Sequence, residues 1–138
     1  MLTLDAPVTT VVPRSTAPAP LSVPTAHYRT ALAAGAVVVD LRDEAARRVH
    51  GALIGALALS LEEALEALTP NAPGALRTAS FEASWLLVTD DGHDAEWLAW
   101  HLQARGVGKA RFLLGGYRGL RAAGLGLADT SDAHQFFS

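Results

Sequence analysis

Three short apolar runs, each separated from the next by helix signals, constrain the fold of this chain most strongly. The runs are residues 36–39, 85–89 and 110–114. Runs of four or five mostly apolar residues between turn signals are typical of strands that are covered on both faces. Strands separated by helices pair in parallel and are joined by right-handed crossovers. The pattern predicts a three-layer α/β domain, in which helices flank a central, mostly parallel sheet of about four to five strands.

Helix signals fill most of the segments between these runs. Thr25 is placed to cap the first helix, and Ser60 with Glu63 forms the capping-box pattern at the start of another. Residues 69–83 contain two prolines, an asparagine and a glycine, so they are predicted to form a loop. The predicted helices cover residues 25–34, 43–49, 61–68, 95–105 and 117–123.

The two ends of the chain differ from this pattern. Residues 1–24 contain five prolines and are predicted to form an extended N-terminal arm. The α/β domain is expected to span residues 25–124, and residues 125–138 form a C-terminal tail that ends in Phe136, Phe137 and a serine. Adjacent aromatic residues at a terminus favour docking on the domain or on a second copy. The sequence therefore predicts a homodimer in which the arms embrace the partner.

Composition excludes several classes of protein. The net charge is −3, and the chain has no basic block beyond Arg47 and Arg48, so a nucleic-acid partner is not expected. No apolar run approaches the roughly 18 residues of a membrane span, and no secretory signal is recognised, so a cytoplasmic location is the default. The chain has no cysteine. This absence excludes disulfides, thiolate catalysis and thiolate metal sites.

Three segments, taken in order, resemble a single-domain rhodanese-like protein. Residues 37–42 (VVVDLR) and 51–56 (GALIGA) are similar to the family's VDxR strand end and its GHIPGA segment. Residues 85–99 are similar to the strand, active loop and following helix, and residues 113–118 (LLGGYR) to the LxGGF segment. The resemblance covers residues 25–124 and implies a rhodanese-like fold. It also implies that the active loop, Cys-x-x-Gly-x-Arg in the family, lies at residues 89–94.

The active loop departs from the family pattern at its chemically essential positions. With Gly92 as the anchor, Thr89 stands at the position of the cysteine and Asp94 at that of the arginine. Ala52 and Ile54 replace the histidine and proline of GHIPGA. A threonine hydroxyl cannot form a persulfide, and nearby carboxylates repel an anionic sulfur donor. The chain is therefore predicted to be inactive as a sulfurtransferase, to need no cofactor, and to act as a binding or regulatory module for a protein partner or a small ligand.

The same loop is the predicted ligand surface, and no residue is assigned a confident catalytic role. Its backbone N–H groups are expected to form a small anion cradle at a helix N-terminus. The candidate ligand-binding residues are Thr89, Asp90, Asp91, Gly92, His93, Asp94 and Ala95.

Alternative interpretations of this loop remain open. The structural one is that Asp90 and Asp91 solvate a turn while Asp94 caps the next helix. A second is a cation site, or a non-thiol hydrolase, with or without a metal ion, that uses residues 90–94. A third treats Thr89 as a nucleophile with His93 as its base. No metal-binding residues are predicted.

Residues outside the loop receive mainly structural interpretations. Asp40 and Arg42 are expected to form a structural ion pair, and the glycine pair 115–116 is expected to allow a tight turn with close backbone approach. Trp97 could line a pocket near the loop. Trp100 is interpreted as a core or interface residue, and His101 as a partly buried polar residue.

Overall fold

The computed structural model describes residues 20–125 of the 138-residue chain. In this part a sheet of five parallel strands lies between two layers of helices, which confirms the predicted fold class. The strand order across the sheet is β1-β5-β4-β2-β3. The strands are β1 (Ser22–Val23), β2 (Val37–Asp40), β3 (Leu57–Ala58), β4 (Trp85–Val88) and β5 (Arg111–Leu113).

Four α-helices connect the strands, a fifth follows β5, and a 3₁₀ turn at Thr25–His27 precedes the first. One core, which contains residues of α3 and α4, covers one face of the sheet, and a second core with residues of α1 and α5 covers the other. No helix among residues 20–125 is long and apolar enough to cross a membrane. The helices are α1 (Tyr28–Ala33), α2 (Glu44–His50), α3 (Leu61–Leu68), α4 (His93–Ala104) and α5 (Gly116–Ala123).

The predicted helix caps are found in part. Ser60 and Glu63 form the complete capping box at the start of α3. Thr25 does not cap a helix, so that prediction is wrong. Its hydroxyl instead donates a hydrogen bond of 3.0 Å to the carbonyl of Leu114, because β1 brings residue 25 beside the end of β5.

β1 lies within the segment that the sequence assigned to the N-terminal arm. Ser22 pairs with Phe112 and Val23 with Leu113, so residues 22–23 form an edge strand of the sheet. Residues 1–19 and 126–138 lie outside the described part. The predicted arm upstream of residue 20, the aromatic end of the tail and the homodimer that the arms would form are therefore still predictions.

The register of the central strands determines where the candidate site lies. Asp40 at the end of β2 pairs with Val88 at the end of β4. β4 is buried along its whole length, as predicted, whereas Val37 at the first position of β2 is 44% exposed. Because the strands are parallel, the residues that follow Asp40 and Val88 emerge together at one edge of the sheet.

Candidate functional site

The loop that follows β4 is closed by a hydrogen bond of its own. Thr89 is only 7% exposed, and its hydroxyl oxygen accepts a hydrogen bond of 3.1 Å from the Gly92 N–H. Gly92 has a φ of +93° and is the N-cap of α4, which begins two residues earlier than predicted. The predicted capping role of Asp94 is therefore wrong. Asp94 lies in the first turn of the helix and is exposed.

A second side chain of the loop also bonds to a backbone N–H. Asp91 accepts a hydrogen bond of 2.9 Å from the His93 N–H, and its carboxylate lies 3.3 Å from the ring Nδ1 of His93. The backbone hydrogen bond from His93 is the main reason that the pKa of Asp91 is lowered. The expected anion cradle is thus already occupied at the N–H groups of Gly92 and His93.

The start of α5 fixes the backbone of this loop from the other side. The N–H groups of Tyr117 and Arg118 donate to the carbonyls of Thr89 and Asp90, at 2.8 and 3.0 Å. Gly116 has a φ of +61°, and a Cβ at this position would lie 2.3 Å from the Thr89 carbonyl oxygen. The close backbone approach expected at the glycine pair is confirmed, because only glycine leaves room for the loop here.

A cleft of about 330 Å³ lies beside the loop at the carboxyl edge of the sheet. Four carboxylate side chains contribute to its wall, and Arg118 is the one cationic side chain there that is not neutralised by a bidentate ion pair. Of the predicted loop residues, four line this cleft, while Gly92 and Ala95 are buried in the loop and His93 lines a neighbouring hollow. The lining residues are Leu41, Arg42, Asp43, Leu61, Thr89, Asp90, Asp91, Asp94 and Arg118.

Arg42 belongs to a buried ion pair, as predicted. Its Nε and Nη2 donate to the two carboxylate oxygens of Asp40 at 2.9 and 2.8 Å, and the two side chains are 0% and 2% exposed. Nη2 also donates to the Gly51 carbonyl at 2.8 Å, and the guanidinium carbon lies 4.0 Å from the centre of the Tyr117 ring. Burial acts to lower the pKa of Arg42, but the hydrogen bond and charge of Asp40 outweigh it and raise the pKa. This arginine is therefore neutralised within the fold.

Comparison with known proteins identifies the fold. No protein-family profile matches the chain, and no curated protein sequence matches it. Among solved structures, a protein of unknown function from Rhodopseudomonas palustris, described as a possible tyrosine phosphatase, has a TM-score of 0.71 at 19% identity. That match covers 83% of this chain and 87% of the other.

Two further structures decide the fold family. The human single-domain sulfurtransferase TSTD1 matches with a TM-score of 0.63 and 22% identity over 75% of this chain and 97% of its own. A rhodanese-like domain from Anabaena sp. matches with a TM-score of 0.62 and 14% identity, covering 83% of each chain. The fold is rhodanese-like. The chain therefore has the expected architecture, and it contains no cysteine.

The rhodanese-like fold accounts for one cleft residue that the sequence analysis missed. Arg118 is the last residue of the LLGGYR segment, which was interpreted only as a tight turn before the final helix. The signal was nevertheless present, because in parallel α/β folds the helix that follows a strand begins at the carboxyl edge of the sheet. The first turn of α5 thus brings Arg118 to the loop that follows β4.

The rhodanese-like loop does not assemble the alternative sites. Among residues 20–125, no three histidine, aspartate or glutamate side chains converge in a way that could hold a metal ion. The His93 side chain is 83% exposed and contacts Asp91, whereas the Thr89 hydroxyl is bonded to the loop backbone. The geometry therefore favours neither the metal-assisted hydrolase nor a Thr89–His93 nucleophile and base.

Proposed function

We propose that this chain is a rhodanese-like binding module without sulfurtransferase activity, and that its ligand surface is the cleft beside residues 89–95. Thr89 carries the proposal. With Gly92 as the anchor of the motif resemblance, it stands at the position of the family's cysteine, and its hydroxyl is buried and bonded to Gly92. A hydroxyl at this position cannot accept a sulfur atom, since a persulfide requires a thiolate.

The charge of the cleft supports the loss of sulfur transfer independently. Asp43, Asp90, Asp91 and Asp94 all contribute to the lining, and Arg118 is the cation that faces them. A carboxylate and an anion at 4 Å repel each other by about 1 kcal/mol in water, and by more where solvent is partly excluded. Thiosulfate, which is a dianion, is therefore disfavoured in this cleft.

The same lining suits a ligand that carries a positive group. A lysine or arginine side chain presented by a partner protein would interact favourably with the carboxylates, and Leu41 and Leu61 offer apolar contact beside them. The N–H groups of Gly92 and His93, which would otherwise attract an anion, are already bonded. Both observations favour a cationic ligand over an anionic one.

A thermal-shift and binding experiment on the full chain tests this proposal. The probes are sodium thiosulfate, sodium sulfate and a lysine-rich peptide, with a glutamate-rich peptide of equal length as the control. We expect saturable stabilisation by the lysine-rich peptide, weakened in Asp90→Asn and Asp94→Asn, and unchanged in Glu82→Gln, whose carboxylate lies outside the cleft lining. Stabilisation by thiosulfate, or none by the lysine-rich peptide, would contradict the proposal.

Covalent loading with sulfur gives a second readout. Incubation with thiosulfate should leave the intact mass of the full chain unchanged, because no thiolate is present to take up sulfur. A gain of one sulfur atom in the wild-type chain would show that another group accepts sulfur. That result would contradict the proposal that the chain lacks sulfurtransferase activity.

A further inference from the structure

Two tryptophans on α4 form an exposed aromatic surface next to the candidate site. Trp97 is 50% exposed and Trp100 is 60% exposed. Of the two interpretations of Trp100, core residue is wrong and interface residue is still a prediction. The ring of His101 contacts both indoles, with centroid distances of 4.3 Å to Trp97 and 5.1 Å to Trp100. Leu21, His93 and Glu96 complete a hollow of about 270 Å³ with the two indoles. These five lining residues, which include both tryptophans, are called the tryptophan surface below.

The chain upstream of the described residues starts at this surface. Leu21 forms part of the hollow. In the sequence, Leu21 is preceded by Pro20 and by residues 13–19 (PRSTAPA). An extended proline-rich chain rises about 3.1 Å per residue, so three residues span roughly 10 Å and eight span roughly 25 Å. These are the numbers of residues that separate Pro18 and Pro13 from Leu21 in the sequence. The 12 residues of α4 span about 18 Å, so residues 13–19 are long enough to cover the tryptophan surface.

Residues 13–19 and the tryptophan surface are chemically complementary. Proline-rich segments bind aromatic grooves in proteins at a low cost in conformational entropy, because the proline rings restrict the free chain. Residues 13–19 carry one charge, the cation Arg14. The tryptophan surface presents the exposed carboxylate of Glu96, so apolar contact and charge are both complementary.

The edge strand β1 is poorly suited to pair with a strand from a second copy of the chain. The carbonyls of Leu21 and Val23 accept hydrogen bonds from the N–H groups of Phe112 and Leu114, so in a regular strand the backbone of Ser22 faces outward. The other outward positions are Pro20 and Pro24, which have no N–H to donate. A strand added at this edge would gain one donor from Ser22, so side-chain contact by the adjoining segment is favoured over sheet extension.

We propose that residues 13–19 dock on the tryptophan surface of the same chain, with Pro18 against the indoles of Trp97 and Trp100 and Arg14 close to Glu96. His93 belongs both to this surface and to the loop of residues 89–95. The docked segment therefore lies next to the candidate site. This inference does not depend on the ligand proposed for the cleft.

Tryptophan exposure in the full chain tests the docking. The chain has three tryptophans, and Trp85, which is 3% exposed, provides an internal reference. In Pro13→Gly/Pro18→Gly we expect the acrylamide quenching constant to rise roughly twofold, because ring faces that the segment covers become accessible. The indole N–H resonances of Trp97 and Trp100 should shift while that of Trp85 does not. Pro7→Gly, in the same arm but outside the docking segment, is the matched control and should resemble the wild type.

A charge exchange tests the register of the docked segment. Arg14→Glu should increase quenching, and Arg14→Glu combined with Glu96→Arg should restore the wild-type value, since the pair is then reversed. Wild-type quenching equal to that of Pro13→Gly/Pro18→Gly would refute the proposal. Protection that disappears on dilution, together with a dimeric mass at the higher concentration, would assign the surface to a second copy and would also refute it.

Discussion

A methyl group at Gly116 would have no room beside the loop that carries Thr89. An ideal Cβ at residue 116 lies 2.3 Å from the carbonyl oxygen of Thr89, 2.6 Å from that of Asp90 and 2.7 Å from the nitrogen of Gly92. All three are backbone atoms, so no flexible side chain can move aside. In Gly116→Ala the loop has to shift, and the hydrogen bonds from α5 to the carbonyls of residues 89 and 90 weaken or break.

Three contributions set the expected cost of Gly116→Ala. A non-glycine residue at a φ of +61° costs about 1–2 kcal/mol. The steric clash adds about 1–3 kcal/mol, and two weakened backbone hydrogen bonds add about 1 kcal/mol each. Together these contributions predict a loss of about 4–7 kcal/mol in the free energy of unfolding, which is a large part of the stability of a domain of this size.

Gly124→Ala is the matched control for this substitution. Gly124 ends the same helix with a φ of +70°, and a Cβ there meets nothing within 4 Å. It should therefore cost only the backbone contribution of about 1–2 kcal/mol. Urea unfolding followed by tryptophan fluorescence and circular dichroism measures both. Equal destabilisation by the two substitutions would refute the argument that Gly116 is required by the approach of the loop.

Three further predictions concern the residues around the cleft. In urea unfolding, Asp40→Ala should lower the free energy of unfolding by about 3–5 kcal/mol, because it leaves Arg42 buried without its partner. Replacing Asp40 by leucine and Arg42 by methionine together should lower it by less than the single change does. Thr89→Val should cost about 1–3 kcal/mol and speed hydrogen exchange at the Gly92 amide, and Thr89→Ser should keep that amide protected. By NMR titration, the pKa of the Asp91 carboxyl should lie below the ordinary value of 3.8. Its contribution to stability is therefore present above the pKa of the unfolded chain and is lost as the pH falls through the lower pKa of the folded chain. A midpoint at or above 3.8 would argue against the hydrogen bond from the His93 N–H.

The fold could be predicted because local signals agreed with the tertiary arrangement. The apolar runs became the central strands β2, β4 and β5, and Ser60 with Glu63 marked the start of α3. β1 was missed because two residues between prolines carry no periodicity, and their pairing with β5 depends on contacts 90 residues apart in sequence. Thr25 was misassigned for a related reason, since its hydroxyl bonds to the distant Leu114.

The sequence indicated the acidic character of the loop but not the hydrogen bonds within it. Thr89, Asp90 and Asp94, which the sequence places within six residues of one another, line one cleft, and their role in ligand binding is still a prediction. Sequence spacing could not show that the N–H groups of the loop are already bonded, because that depends on a left-handed backbone at Gly92 that starts α4 two residues early. The contribution of Arg118 was also hidden, since it comes from an element that meets the loop only in the folded chain.

Thiocyanate formation from thiosulfate and cyanide tests the central claim most directly. The measurement compares the full wild-type chain with Thr89→Cys/Asp94→Arg and with a protein-free control. We expect the wild type to match the protein-free rate, because residue 89 offers no thiolate. We expect the double variant to exceed that rate, because it restores a thiol at residue 89 and removes a carboxylate from the cleft lining. Turnover by the wild type, or no gain in a correctly folded double variant, would contradict the account.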